Sequence, residues 1–91
     1  MASNPTPPGW FVYIVRCADA TLYTGIARDL HARIAQHNAG DGAKYTRSRR
    51  PVALIYEEVA ADRGAALRRE YEIKRLTVQA KRILVTDQGV G

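Results

Sequence analysis

Tyr13, Tyr23, Arg33, His37 and Glu70 are the side chains whose types and spacing could do chemistry. They suit the handling of a phosphate better than packing. Phenols and an imidazole exchange protons with water, a guanidinium forks onto phosphoryl oxygens, and a carboxylate can hold a hard cation. Arg33 and His37 stand one helical turn apart and so share a side of any helix that carries them. Downstream, Lys44, Tyr45, Arg47, Arg49 and Arg50 form the densest basic stretch, with an aromatic inside it. Such a segment can track a phosphate backbone while Tyr45 stacks on a base; a solvated basic loop is the plainer alternative.

These residues must be positioned by short elements. Trp10 to Val15 is an unbroken β-branched and aromatic run, which predicts a buried central strand. Ala18 to Ala20 interrupts it and Thr21 to Thr24 resumes it, a short-loop hairpin that Gly25 ends. With the turn near Asp19 and Ala20, Tyr13 falls within a residue or two of the point opposite Tyr23, so both phenols could serve one site. A helix is expected over 28–39, with Ile26, Leu30 and Ile34 at four-residue spacing and Asp29 in its first turn. On that helix Arg33 lies at the edge of the apolar stripe and His37 nearly within it. A snorkelling arginine and a core histidine are therefore the structural alternatives. Asn38, Gly40 and Gly42 close the helix and open the basic loop, 44–50. Pro51 ends that loop, and a third strand follows over 52–58.

Asp62 is the expected N-cap of a second helix running to about Arg75. Its predicted buried face is Ala66, Leu67 and Ile73, with Glu70 in the middle of it. A carboxylate there needs a cation: either Lys74, four residues on, or a bound metal. Thr77 should cap a third helix over 78–85, with Ile83 and Leu84 inward and Lys81 and Arg82 outward.

Composition narrows the classes. The chain has 91 residues and a formal charge of +5, which suits one small domain and a polyanionic partner. No apolar run approaches the ~20 residues that span a bilayer, and the N-terminal residues show neither the basic nor the apolar region of a secretory signal. The single Cys17 cannot form an internal disulfide, which fits a reducing, cytoplasmic setting. His31 and His37 fall on different helical faces without a cysteine pair, so a structural zinc is not expected. Neither a Gly-rich phosphate loop nor a Ser-His-Asp pattern is present.

Taken together, the pattern resembles the GIY-YIG nuclease family, in particular its small stand-alone bacterial members. The first motif reads Phe11-Val12-Tyr13 and the second Tyr23-Thr24-Gly25; Arg33 follows, then His37 one turn on, and Glu70 heads Glu70-Tyr71-Glu72-Ile73-Lys74. Phe11 replaces the glycine of the first motif, and Val12 and Thr24 replace the two isoleucines. The similarity covers roughly Trp10 to Leu84.

The resemblance implies an α+β fold, a three-stranded antiparallel sheet flanked by helices, which matches the three strands and three helices read independently as β-β-α-β-α-α. The expected domain is 10–86, between a disordered Pro-rich tail, 1–9, and a C-terminal tail, 87–91. The implied activity is that of a DNA endonuclease of repair or recombination type. Glu70 would hold one divalent metal, Mg²⁺ or Mn²⁺, Arg33 would donate to the phosphoryl oxygens, and Tyr13 would orient or deprotonate water. Tyr23 and His37 would position water and phosphate. The expected partner is DNA, with RNA or branched nucleic acid as variants, and no membrane. A chain this short leaves no room for a DNA-reading domain, so specificity is expected from shape, a homodimer or a protein partner. The alternative function is a weak or inactive nucleic-acid-binding module built on loop 44–50.

Overall fold

The structure, a computed structural model, describes residues 9–89. The Pro-rich segment 1–8 and residues 90–91 lie outside the described residues. The elements are strands β1 (Trp10–Arg16) and β2 (Leu22–Ala27), helices α1 (Leu30–Ala39) and α2 (Lys44–Arg47), strand β3 (Ala53–Ala60), and helices α3 (Arg63–Lys74) and α4 (Val78–Gly89). The sheet is three-stranded and antiparallel in the order β2-β1-β3. β1 is thus the central strand, as its uninterrupted apolar run predicts.

Because side chains alternate along β1, the strand feeds two cores. Tyr13, Val15 and Cys17 face α1 and pack with Ala27, Leu30 and Val52. Val12 and Ile14 face the other way, onto Ala66 and Ile73 of α3 and Leu84 and Val85 of α4. Residues Val12 to Val15 are fully buried. Each such apolar side chain contributes about 1.5–3 kcal/mol relative to exposure. Thr24 is also buried, and its hydroxyl has no partner among the described residues, a cost that isoleucine at that motif position avoids.

Local signals set the joints. The β1–β2 turn is held by Asp19 Oδ1, which accepts from the Thr21 hydroxyl at 2.6 Å and from Thr21 N–H at 3.2 Å. Gly40 stands in the left-handed region, φ 90°, and its N–H caps α1 through Gln36 and His37 carbonyls. Asn38 then fastens the end of α1 to the start of β3: its side chain accepts from Val52 N–H at 2.7 Å and donates to Val52 C=O at 3.1 Å. Asp62 and Thr77 cap α3 and α4 as expected, by accepting from Ala65 N–H and Ala80 N–H.

Several expectations are corrected. Asp29 is the N-cap of α1, accepting from Ala32 N–H at 3.1 Å, and not a residue of its first turn. The basic segment is not all loop, since Lys44–Arg47 forms one helical turn. Leu67 is 38% exposed and Ile83 57% exposed. Both sit about 100° around their helices from the residues that face the sheet, Ala66 with Ile73 and Leu84, and small Ala66 makes the α3 stripe narrow. Lys81 is half-buried, not outward. β3 runs on to Ala60 and α4 to Gly89, so 87–89 are helical.

Candidate active site

Tyr13 and Tyr23 lie diagonally on the same face of the β1–β2 pair, for Tyr13 stands opposite Gly25 and Tyr23 opposite Val15. Gly25 is what lets the Tyr13 ring lie across β2: a Cβ there would stand 2.5 Å from the phenol oxygen and 2.7 Å from Cζ. His37, fully buried on α1, meets that oxygen with Nε2 at 2.8 Å. Its other ring nitrogen, Nδ1, lies 2.8 Å from Thr46 Oγ1 on α2. The Tyr23 ring packs edge-on against His37, centroids 5.4 Å apart, and stacks on Tyr45 at 5.8 Å.

Charged groups border this aromatic cluster. Arg33, half-buried, donates to Gln36 Oε1 at 3.0 Å and comes close enough to Tyr13 to affect its titration. Glu70 stands on α3 between Ala66 and Ile73, only 18% exposed, with its Oε2 3.3 Å from Lys74 Nζ. Lys74 in turn lies 5.8 Å from the Tyr23 ring centroid. Burial pushes the Tyr13 phenol above its ordinary 10.0, and Arg33 only partly opposes the rise. Burial, with the Arg33 charge, holds His37 below its ordinary 6.5. Both groups are therefore neutral near pH 7. Desolvation outweighs the Arg33 cation because the tyrosine is fully enclosed.

The basic segment divides into two pairs. Lys44 and Arg47 are exposed. Arg49 is committed to Asp19 Oδ2 at 3.0 Å and Tyr45 C=O at 2.8 Å, and its guanidinium sits 4.0 Å from the Tyr45 ring centroid. Arg50 donates to the carbonyls of Arg47 at 2.9 Å and Asn38 at 3.2 Å. Tyr45 keeps 38% of its surface, with Tyr23 and Arg49 packed against its ring.

A family model for the GIY-YIG catalytic domain matches residues 9–83. The chain belongs to the GIY-YIG family. A UPF0213 protein of Desulfotalea psychrophila is 58% identical over 85 residues, covering 92% of this chain and 77% of that protein. A UPF0213 protein of Staphylococcus aureus is 54% identical over 78 residues, covering 86% of this chain and 95% of its own. Among solved structures, the NMR structure of a Bacillus halodurans UPF0213 protein is 40% identical with a TM-score of 0.59, covering 90% of this chain and 87% of that one. An E. faecalis protein is 35% identical with a TM-score of 0.61, covering 91% and 90%. The GIY-YIG sheet and helices described above are thus those of a nuclease family, whose members generally use a divalent metal on nucleic acid.

Among the described residues, no three His, Cys, Asp or Glu side chains gather into a closed metal cage. One part-buried carboxylate, Glu70, is compatible with a divalent ion of the kind that keeps several waters and takes phosphate oxygens beside one or two protein carboxylates. Among the same residues no helix is long and apolar enough to cross a membrane. Sequence reading did not single out Thr46, the buried partner of His37, or Gln36, the partner of Arg33. A lone threonine in a basic stretch carries no period that would mark it as buried.

Proposed function

We propose that this GIY-YIG domain is a metal-dependent DNA endonuclease of repair or recombination type, acting in the cytoplasm. The observation that supports it is the 2.8 Å hydrogen bond between Tyr13 Oη and His37 Nε2, with Arg33 and Glu70 close to that phenol. Attack on a phosphodiester needs an activated water and neutralisation of charge growing on the phosphoryl oxygens. A phenol held above its ordinary pKa stores no phenolate. Tyr13 instead takes a proton from the attacking water as its own proton passes to neutral His37. Water oxygen bonds to phosphorus, the P–O3′ bond breaks, and the departing 3′ oxygen takes up a proton from solvent.

Arg33 is a half-buried cation near that phenol, and its planar fork suits two non-bridging oxygens. Tyr23, partly exposed beside His37, positions the incoming water and phosphate. Glu70 would hold the divalent ion, which supplies charge neutralisation on the phosphate and assistance to the departing oxygen. Lys44, Arg47 and Tyr45 carry the exposed contacts for DNA, while Arg49 and Arg50 hold the segment in shape and add charge.

The test is cleavage of plasmid DNA with and without added Mg²⁺ or Mn²⁺. Arg33→Ala is expected to fold normally and to lose roughly 10²–10³ in rate, the scale for a lost transition-state donor. Arg33→Lys should recover little, because an ammonium cannot span two oxygens. Wild-type rates in folded Arg33→Ala would remove Arg33 from the chemistry. DNA binding without metal-dependent cleavage would favour the binding-module reading.

A further inference from the structure

Thr46 is fully buried on the single turn of α2, and its hydroxyl has two neighbours. Thr46 Oγ1 lies 3.0 Å from Ala43 C=O and 2.8 Å from His37 Nδ1. A carbonyl can only accept, so for both contacts to be hydrogen bonds the single hydroxyl hydrogen goes to Ala43, whose oxygen also takes Thr46 N–H at 3.1 Å. What remains on Oγ1 is acceptor capacity, and His37 Nδ1 must be the nitrogen that carries the proton. A neutral imidazole has one N–H, which leaves Nε2 as a bare acceptor facing Tyr13 Oη at 2.8 Å. The phenol therefore donates to His37. Arg33, which donates to Gln36 Oε1 at 3.0 Å, lies close enough to the same phenol to affect its titration. Gly42 packs directly against His37, so close that a Cβ there would stand 2.4 Å from Nδ1.

We infer that Thr46 is a positioning residue for the reaction: with the Ala43 carbonyl it locks His37 in the Nδ1–H tautomer, the one form able to receive the proton of Tyr13. The inference rests on the reading of Tyr13 and His37 as a proton relay. In the other tautomer Nε2–H would point at Tyr13 Oη. The phenol would then accept from His37 and have nowhere to send its own proton when water is deprotonated. The same turn of α2 carries Lys44, Tyr45 and Arg47, so the segment expected to meet DNA also fixes the proton acceptor.

The experiment pairs two variants with two readouts. The protonated nitrogen of His37 is read in DNA-free protein from side-chain ¹H–¹⁵N correlations, and kcat and KM are read from DNA cleavage. Wild type is expected to show the proton on Nδ1. Thr46→Val, close in shape but without an acceptor, should shift it toward Nε2 and lower kcat roughly 10- to 100-fold, the scale for partners that orient a functional histidine, with KM little changed. Thr46→Ser should restore both tautomer and rate. Thr46→Val that stays on Nδ1, or that moves to Nε2 with an unchanged rate, would overturn the inference. Should Thr46→Val fail to fold, a wild-type proton on Nε2 would do the same. Absence of cleavage by wild type would count against the nuclease reading alone, because the tautomer is measured without DNA.

Discussion

Replacing Glu70 by Gln removes a negative charge while keeping shape, and the structure sets the size of the effect. The carboxylate is 18% exposed, but its partner Lys74, 3.3 Å away, is 50% exposed and can turn to water when the charge goes. The pair is therefore closer to a surface ion pair, worth about 0.2–1 kcal/mol, than to a buried one whose breakage costs about 3–5 kcal/mol. For a domain of this size about 1 kcal/mol corresponds to roughly 4–8 °C in Tm, so without metal Glu70→Gln should melt no more than about 8 °C below wild type. If Glu70 holds the ion, wild type gains about 2.7 kcal/mol at a Mn²⁺ concentration 100 times Kd, or roughly 10–20 °C, and the variant gains almost nothing. The assay is thermal unfolding of both proteins over a Mn²⁺ titration. Equal stabilisation of the two, or a metal-free variant melting far below that limit, would refute Glu70 as a metal ligand.

Gly25→Ala would drive a methyl group to 2.5 Å from the Tyr13 oxygen, whose ring is enclosed and hydrogen-bonded, so a loss of about 1–3 kcal/mol in urea unfolding should accompany a sharp fall in cleavage. Unchanged stability would mean that β2 yields instead. Lys44→Ala with Arg47→Ala should lower the log-log salt slope of DNA binding by about 0.9 per lost phosphate contact and leave Tm nearly unchanged. Arg49→Ala with Arg50→Ala should lower Tm as well, because those side chains bind Asp19 and the carbonyls of Tyr45, Arg47 and Asn38. The reverse pattern would exchange the two roles.

For His37, burial and Arg33 place the folded pKa below 6.5. Its stabilising contribution is therefore complete above the ordinary value and is lost as pH falls from there through the folded pKa, since the unfolded chain takes the proton first. Cleavage should fall over the same acidic range, and a His37 ring titration by NMR with a midpoint at or above 6.5 would contradict this.

Local sequence determined most of the frame. The β-branched run at Trp10 to Val15 could only be a doubly covered strand, and Asp62, Thr77 and Gly40 marked helix ends through capping chemistry that acts within a few residues. Residue types and spacing also singled out Tyr13, Tyr23, Arg33, His37 and Glu70 as candidates. What the chain alone left open depends on contacts between distant segments. His37 read equally well as core or site; only its meeting with Tyr13, 24 residues away, makes it a core residue and a proton partner at once. Arg49 looked like any other arginine of a basic loop until the fold brought Asp19, 30 positions earlier, against it. The turn at α2 is too short to show a helical period, and Thr46 gains its meaning from His37 across the loop. Capping and alternation are written within a few neighbouring residues, whereas burial, proton direction and charge pairing are set by whichever surfaces the packed sheet brings together.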